Sequence, residues 1–220
     1  LSPDEQREIL GLWTANLRER VGERTGDAAF LRSFSALNLS ILAARDNAAP
    51  FLSQADFDAF VEAMTTYLGA ERDTRGYTAE SGWVHATAHT ADVLKFLARN
   101  AKLSVERQAT LIAAVDAECR SFGQVFQWAE DERLAQVIVS IAARPDFDAP
   151  GFERWLATIP QRRAAVWANA PAIDPDGYIE VQNLTLVLRA AHAALSMASS
   201  LTPPLETARG SILATLRAMR

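Results

Sequence analysis

Apolar residues recur at helical spacing along almost all of the 220 residues, and no run of alternating β-branched residues interrupts them. A chain patterned in this way has no sheet to pack against, so it must bury its apolar stripes helix on helix, and the fold class it implies is all-α. The punctuation predicts about nine helices. Ser2, Pro3 and Glu5 supply an N-cap, an N1 proline and the return half of a capping box for a first helix to about residue 22. This helix is expected to bury Ile9, Leu10, Trp13, Leu17 and Val21. A second, over about 27–44, is expected to bury Phe30, Leu31, Phe34, Leu37, Ile41 and Leu42. Ser53 caps a third through about residue 68, a polar loop covers 72–81, and Gly82 or Trp83 opens a fourth that ends near Asn100. Ser104 starts a fifth, and a sixth spans about 129–143, ahead of Pro145. A seventh covers 149–168 with Pro160 as a possible kink. Asp174-Pro175-Asp176-Gly177 signals a turn before an eighth helix at about 179–199, and Pro203-Pro204 begin the ninth.

Successive hairpins begin near residues 3, 53, 104 and 149, roughly 45–50 residues apart, which is the period of HEAT-type arrays. The expected architecture is one domain of stacked antiparallel hairpins forming an α-α superhelix with a concave face. No residue-level repeat accompanies the spacing.

Composition narrows the function classes. The net charge of −5 and the presence of just two lysines, Lys95 and Lys102, with arginines interspersed among acids, give no basic patch for nucleic acid. No apolar run approaches the roughly 20 residues of a membrane span. Cys119 is the single cysteine, so no intramolecular disulfide forms and both reducing and oxidising compartments stay open. It sits in a helical pattern as a small core residue. Leu1 in place of Met points to a trimmed or processed start, which leaves a removed signal peptide possible and the compartment undetermined.

The one constellation that suggests chemistry is His85, His89 and Asp92 in RGYTAESGWVHATAHTAD. At i, i+4 and i+7 of the fourth helix these form one stripe opposite its apolar side, beside the small residues Ala86 and Ala88. The rise across seven residues is about 10.5 Å, too far for His85 and a short aspartate to share one ion. His85 and His89 are spaced to chelate a divalent metal such as Zn, Fe or Mn, with Asp92 accepting the second ring N–H of His89 and fixing its tautomer. Any further ligand must come from elsewhere, and Glu71, Asp73, Glu80, Glu118 and the Glu130-Asp131-Glu132 run are the candidates. A metal-free acid–base or binding site and a purely structural stripe are the other readings.

Around the stripe, Arg75 is placed to clamp a carboxylate or to pair with a nearby acid, and Gly76 is expected to make a positive-φ turn between Arg75 and Tyr77. Trp83 is expected to anchor the helix start in the core. Loop 72–81 would form one wall of a pocket, which makes Arg75, Tyr77, Trp83, His85, His89, Asp92, Glu130 and Asp131 the candidate ligand-binding residues. His192, set among alanines, reads as a satisfied packing histidine. Ser33 and Ser35 have no histidine near them in sequence and no nucleophile-elbow context.

The segments Arg32-Ser33-Phe34-Ser35-Ala36-Leu37, ERDTRGY from Glu71 to Tyr77, Gly82-Trp83-Val84-His85-Ala86 with Ala88-His89 and Asp92, and EDERL from Glu130 to Leu134 together resemble the bacterial domain of unknown function 2785 family. The likeness is strongest from Arg32 to Leu94 and extends more weakly to Gln182-Asn183. It implies an all-helical, HEAT-like protein with no assigned activity, and further N-terminal sequence ahead of the first helix. Two functions compete. One is a small-molecule or metal site, hydrolytic if metal is bound, with His85 and His89 as its centre. The other is a scaffold whose concave groove binds a peptide or protein.

Overall fold

Serines set the helix starts. Ser2 Oγ accepts from Glu5 N while Glu5 returns a bond to Ser2 N, and Ser53 and Ser104 accept from Asp56 N (3.1 Å) and Arg107 N (3.3 Å). The computed structural model describes all 220 residues. Nine helices are present: α1 (Pro3–Asn16), α2 (Ala28–Ala48), α3 (Gln54–Ala70), α4 (Ala86–Ala98), α5 (Val105–Ser121), α6 (Glu130–Ala142), α7 (Ala149–Val166), α8 (Pro175–Met197) and α9 (Pro203–Ala218). The protein is all-α apart from a two-stranded hairpin between α3 and α4, β1 (Tyr77–Thr78) and β2 (Gly82–Trp83).

Four boundaries differ from the expectation. α2 runs to Ala48, past the expected end near residue 44. α1 stops at Asn16, followed by turns with Arg20 and Gly22 at positive φ. The Asp174-Pro175 pair is itself a helix start, with Asp174 at the N-cap and Pro175 at N1, so α8 begins four residues early. α4 opens after His85, because residues 77–83 are drawn into the hairpin.

α2, α4, α6 and α8 lie side by side in one row, each packed on the next. α1 packs on α2, α3 on α4 and α5, α5 on α8, and α7 and α9 on α8 and on each other. One apolar cluster of 44 buried residues runs from Leu17 to Met219, so both ends of the chain share a core. Polar groups close the joints. Asp46, buried at the end of α2, accepts from the N–H groups of Phe51 and Leu52, from Asn100 and from Lys102. Burial alone would raise its pKa, but these donors outweigh it and hold the carboxyl below its usual value. Arg144 donates to the carbonyls of Ala98, Asn100 and Leu103, satisfying the C-terminal end of α4.

The α2–α4 contact is the most extensive in the molecule, and small residues are prominent among the buried positions of both helices. α2 buries Ala29, Ser33, Ser35, Ala36, Ser40 and Ala43, while α4 buries Ala86, Thr87, Ala88, Thr90 and Ala91. Small side chains on both helices let the backbones approach closely. Leu39 and Leu42 of α2 stay in the core and Phe30 and Leu37 are half-buried, but Leu31 45%, Phe34 44% and Ile41 62% are exposed. These three were expected in the core. Of the expected stripe Leu42 is buried, while close packing of small residues against α4 leaves Leu31, Phe34 and Ile41 outside.

Candidate functional site

The segment that carries the site is pinned at its start by a buried ion pair. Arg32, fully buried on α2, grips both oxygens of Glu71 (2.7 and 2.8 Å) and donates to the carbonyls of Glu19 and Arg20. Tyr67 Oη and the N–H groups of Arg72 and Asp73 complete the carboxylate's partners. Burial raises the pKa of Glu71, but the Arg32 bond and the other donors hold it below its usual value. Arg75 then pairs with Asp73 and donates to Gly26 O. It is a structural clamp on the loop, with its guanidinium already spoken for.

Gly76 does not adopt positive φ. It is needed for close approach, because a Cβ there would sit 2.0 Å from Trp128 Cγ. Beyond the hairpin, Val84 N donates to Gly76 O (2.8 Å) and His85 N to Arg75 O (3.0 Å). His85 is the N-cap of α4 in the left-handed region, φ 56°, and its carbonyl accepts from His89 N. Ala129, the N-cap of α6, has the same conformation at φ 63°. The two caps are joined, since His85 Nε2 donates to Trp128 O at 2.5 Å. Buried Glu130 fixes the same turn by accepting from Gln127 N and Trp128 N.

Hydrogen-bond logic assigns both tautomers. Ser33 Oγ donates its single proton to Val84 O, a group that can only accept. At its 2.8 Å contact with His89 Nδ1 the serine oxygen is therefore the acceptor, and Nδ1 carries the proton. Burial, with His85 adjacent, pushes the His89 pKa down to about 4, against the opposing pull of Asp92. His89 is thus neutral at pH 7 and keeps an unshared Nε2 lone pair. His85 donates through Nε2 to the Trp128 carbonyl. Ser33, whose proton is spent on a carbonyl, is not an activated nucleophile.

The stripe expected from sequence is broken in two places. His85 lies before the helix, and Asp92 does not orient His89. Asp92 is buried and pairs with Lys95 (2.8 Å) and Arg133. What gathers round the imidazoles is aromatic. Trp83 lies 5.0 Å from the His85 ring and packs edge-on against Tyr77 (5.4 Å) and Trp128 (5.8 Å), while Phe34 meets His89 edge-on at 5.6 Å. Tyr77, Trp83, Trp128 and Phe34 are all exposed. Trp83 is therefore a surface ring on β2 and no core anchor. None of the five principal cavities is lined by these residues.

Of the eight sequence candidates, Tyr77, Trp83, His85 and His89 come together. Arg75, Asp92 and Glu130 support them from behind, and half-buried Asp131 makes no side-chain hydrogen bond of its own. Trp128, Phe34 and Ser33 were missed. Trp128 stands two residues before the acidic run that was singled out, whereas nothing local in Ser33 or Phe34 reveals His89, 56 positions from Ser33.

The donor set does not fit a resident divalent ion. No three His, Cys, Asp or Glu side chains converge to hold one. Glu71 is taken by Arg32, Asp73 by Arg75 and Glu130 by backbone N–H groups, while Glu118 is buried and accepts from Thr87.

A family model described as "Protein of unknown function (DUF2785)" matches residues 17–195. The chain belongs to the DUF2785 family. A search of the curated proteins found no match, and a search of the solved structures found none. The matched span holds every residue of the DUF2785 surface described above, from Ser33 to Trp128, and leaves α9 outside. No helix of this DUF2785 chain is long and apolar enough to cross a membrane.

Proposed function

We propose that this DUF2785 protein is a non-catalytic binding module whose partner is a protein segment with an apolar anchor and N–H or O–H donors. The observation that carries this reading is the outward-turned face of α2. Leu31, Phe34 and Ile41 share one helical face, are exposed, and continue through His89 into the ring cluster of Trp83, Tyr77 and Trp128. Clustered, exposed aromatic residues are what protein interfaces use as anchors, whereas small ligands favour a deep concavity, and none of the five principal cavities includes these rings. The free Nε2 of neutral His89 is an acceptor, so the partner supplies a donor there.

The row of α2, α4, α6 and α8 supports reading the molecule as one HEAT-like domain of stacked hairpins, with this surface on its α2–α4 end. The hydrolytic alternative has less behind it. A group protonating near pH 4 is a weak base at neutral pH, and Ser33 is engaged elsewhere.

The test is selection from a displayed random-peptide library against the wild-type protein, followed by affinity measurement with Trp83→Ala and Ile41→Ser. Peptides with an apolar anchor should bind the wild type, and each variant should weaken them by about tenfold or more, since truncating an interface anchor costs about 2 kcal/mol. Failure to enrich any sequence, or enriched peptides that bind all three proteins equally, would overturn the proposal.

A further inference from the structure

At the other end of the helix row, α7, α8 and α9 enclose a cavity of about 440 Å3 lined by Arg163, Arg189, His192, Arg217 and Arg220. No acidic residue lines it, and its floor includes Thr185, Leu213, Leu216 and Met219. In a protein of net charge −5 this concentration of cations is unexpected, and the even spread of arginines along the sequence conceals it. None of the four guanidiniums has an ion-pair or side-chain hydrogen-bond partner within the protein. The adjacent Arg162, by contrast, is paired with both Asp116 and Glu180. His192, expected to be a satisfied packing residue, is half-buried on the cavity wall without a partner.

Helix ends explain part of this cluster. Arg163 and Arg217 lie in the last turns of α7 and α9, where cations complement the helix dipole. Arg189 and His192 do not fit that account. They lie within α8, one turn apart on the same face as Gln182 and Thr185, and that face looks into the cavity. Unpaired like charges gathered from three helices repel one another, and an anion shared among them would relieve that repulsion. The volume falls within the range of small-molecule sites.

We propose that this cavity is a binding site for a small phosphate-bearing anion, with Arg163, Arg189, Arg217 and Arg220 as its charged donors and His192 as a further polar contact. A planar carboxylate is satisfied by one guanidinium fork in its own plane. Donors arriving from three helices instead suit the tetrahedrally disposed oxygens of a phosphoryl group. The site stands apart from the aromatic surface and does not depend on its reading.

Isothermal titration with pyrophosphate at constant ionic strength tests the assignment, with citrate as the carboxylate comparison. Saturable one-to-one binding of pyrophosphate is expected, weaker by at least tenfold in Arg189→Gln and unchanged in Arg24→Gln, which removes an exposed, unpaired arginine elsewhere. Citrate should bind at least tenfold more weakly than pyrophosphate. The site is overturned if pyrophosphate shows no saturable binding or binds Arg189→Gln as tightly as the wild type. Citrate binding as tight as pyrophosphate would overturn the phosphate assignment. Arg189 is exposed, and an Arg217→Gln variant on a different helix supplies the same readout should the first be compromised in folding.

Discussion

Two titratable groups near the first turn of α4 respond to pH in opposite senses. His89 is held neutral, its pKa lowered from 6.5 to about 4 chiefly by burial. The unfolded chain therefore binds more protons between those values. Its contribution to stability is complete above pH 6.5 and is lost as the pH falls towards 4. Glu118 is the reverse case. Burial raises its pKa to about 7 despite the Thr87 hydroxyl, so the native state holds the extra proton, and stability falls as the pH rises from 4.5 to 7. The two slopes oppose each other between about pH 4.5 and 6.5, each amounting to roughly 2–3 kcal/mol in total. Denaturant titrations at several pH values should show the wild type nearly flat in this window. Glu118→Gln should become steadily more stable with rising pH, and His89→Gln steadily less. Parallel curves for all three proteins would refute both assignments. Neither group's behaviour was legible in the sequence. Glu118 was one of several possible ligands and His89 half of a chelating pair, because burial and the Ser33 bond arise from residues 31 and 56 positions away.

At the scale of elements, the starts of α1, α3 and α5 could be read directly, because a serine cap acts on backbone three residues on and needs no tertiary information. Ser53→Ala should accordingly cost about 1 kcal/mol in denaturant unfolding. The start of α4 could not be read, since it depends on a hairpin only two residues per strand and on Trp128 lying over Gly76. The sequence showed Gly76 to be special but not why. An alanine there meets the indole at 2.0 Å, so Gly76→Ala should displace Trp128, reduce near-ultraviolet circular dichroism, and destabilise by about 1–3 kcal/mol. A variant with wild-type spectrum and stability would show that the ring does not need this seat. α2 teaches a different lesson. Its apolar period is helical and Leu42 is buried as expected, but Leu31, Phe34 and Ile41 lie outside, because helical period does not distinguish a core face from an exposed one.

For the molecule as a whole, the all-helical class and the family were both legible, the first from period and the second from the GWVHATAH segment and its companions. The basic cavity was not, because its four arginines and His192 come from residues 163 to 220 and meet only when α7, α8 and α9 pack. The α2 face separates folding from function at this scale. Ile41→Ser removes an exposed side chain and should change unfolding free energy by no more than about 0.5 kcal/mol. A loss several times larger would mean that the face serves the fold.

The bond from His85 to the Trp128 carbonyl also has a dynamic consequence. Loop 71–85 and the turn before α6 are more than 40 residues apart in sequence, yet neither can lift away without breaking that bond and unseating the indole. In native-state hydrogen exchange the amides of Val84, His85 and Trp128 should share one opening free energy and move together in Gly76→Ala, as a single cooperative unit. A partner that fastens to either segment would slow exchange in both.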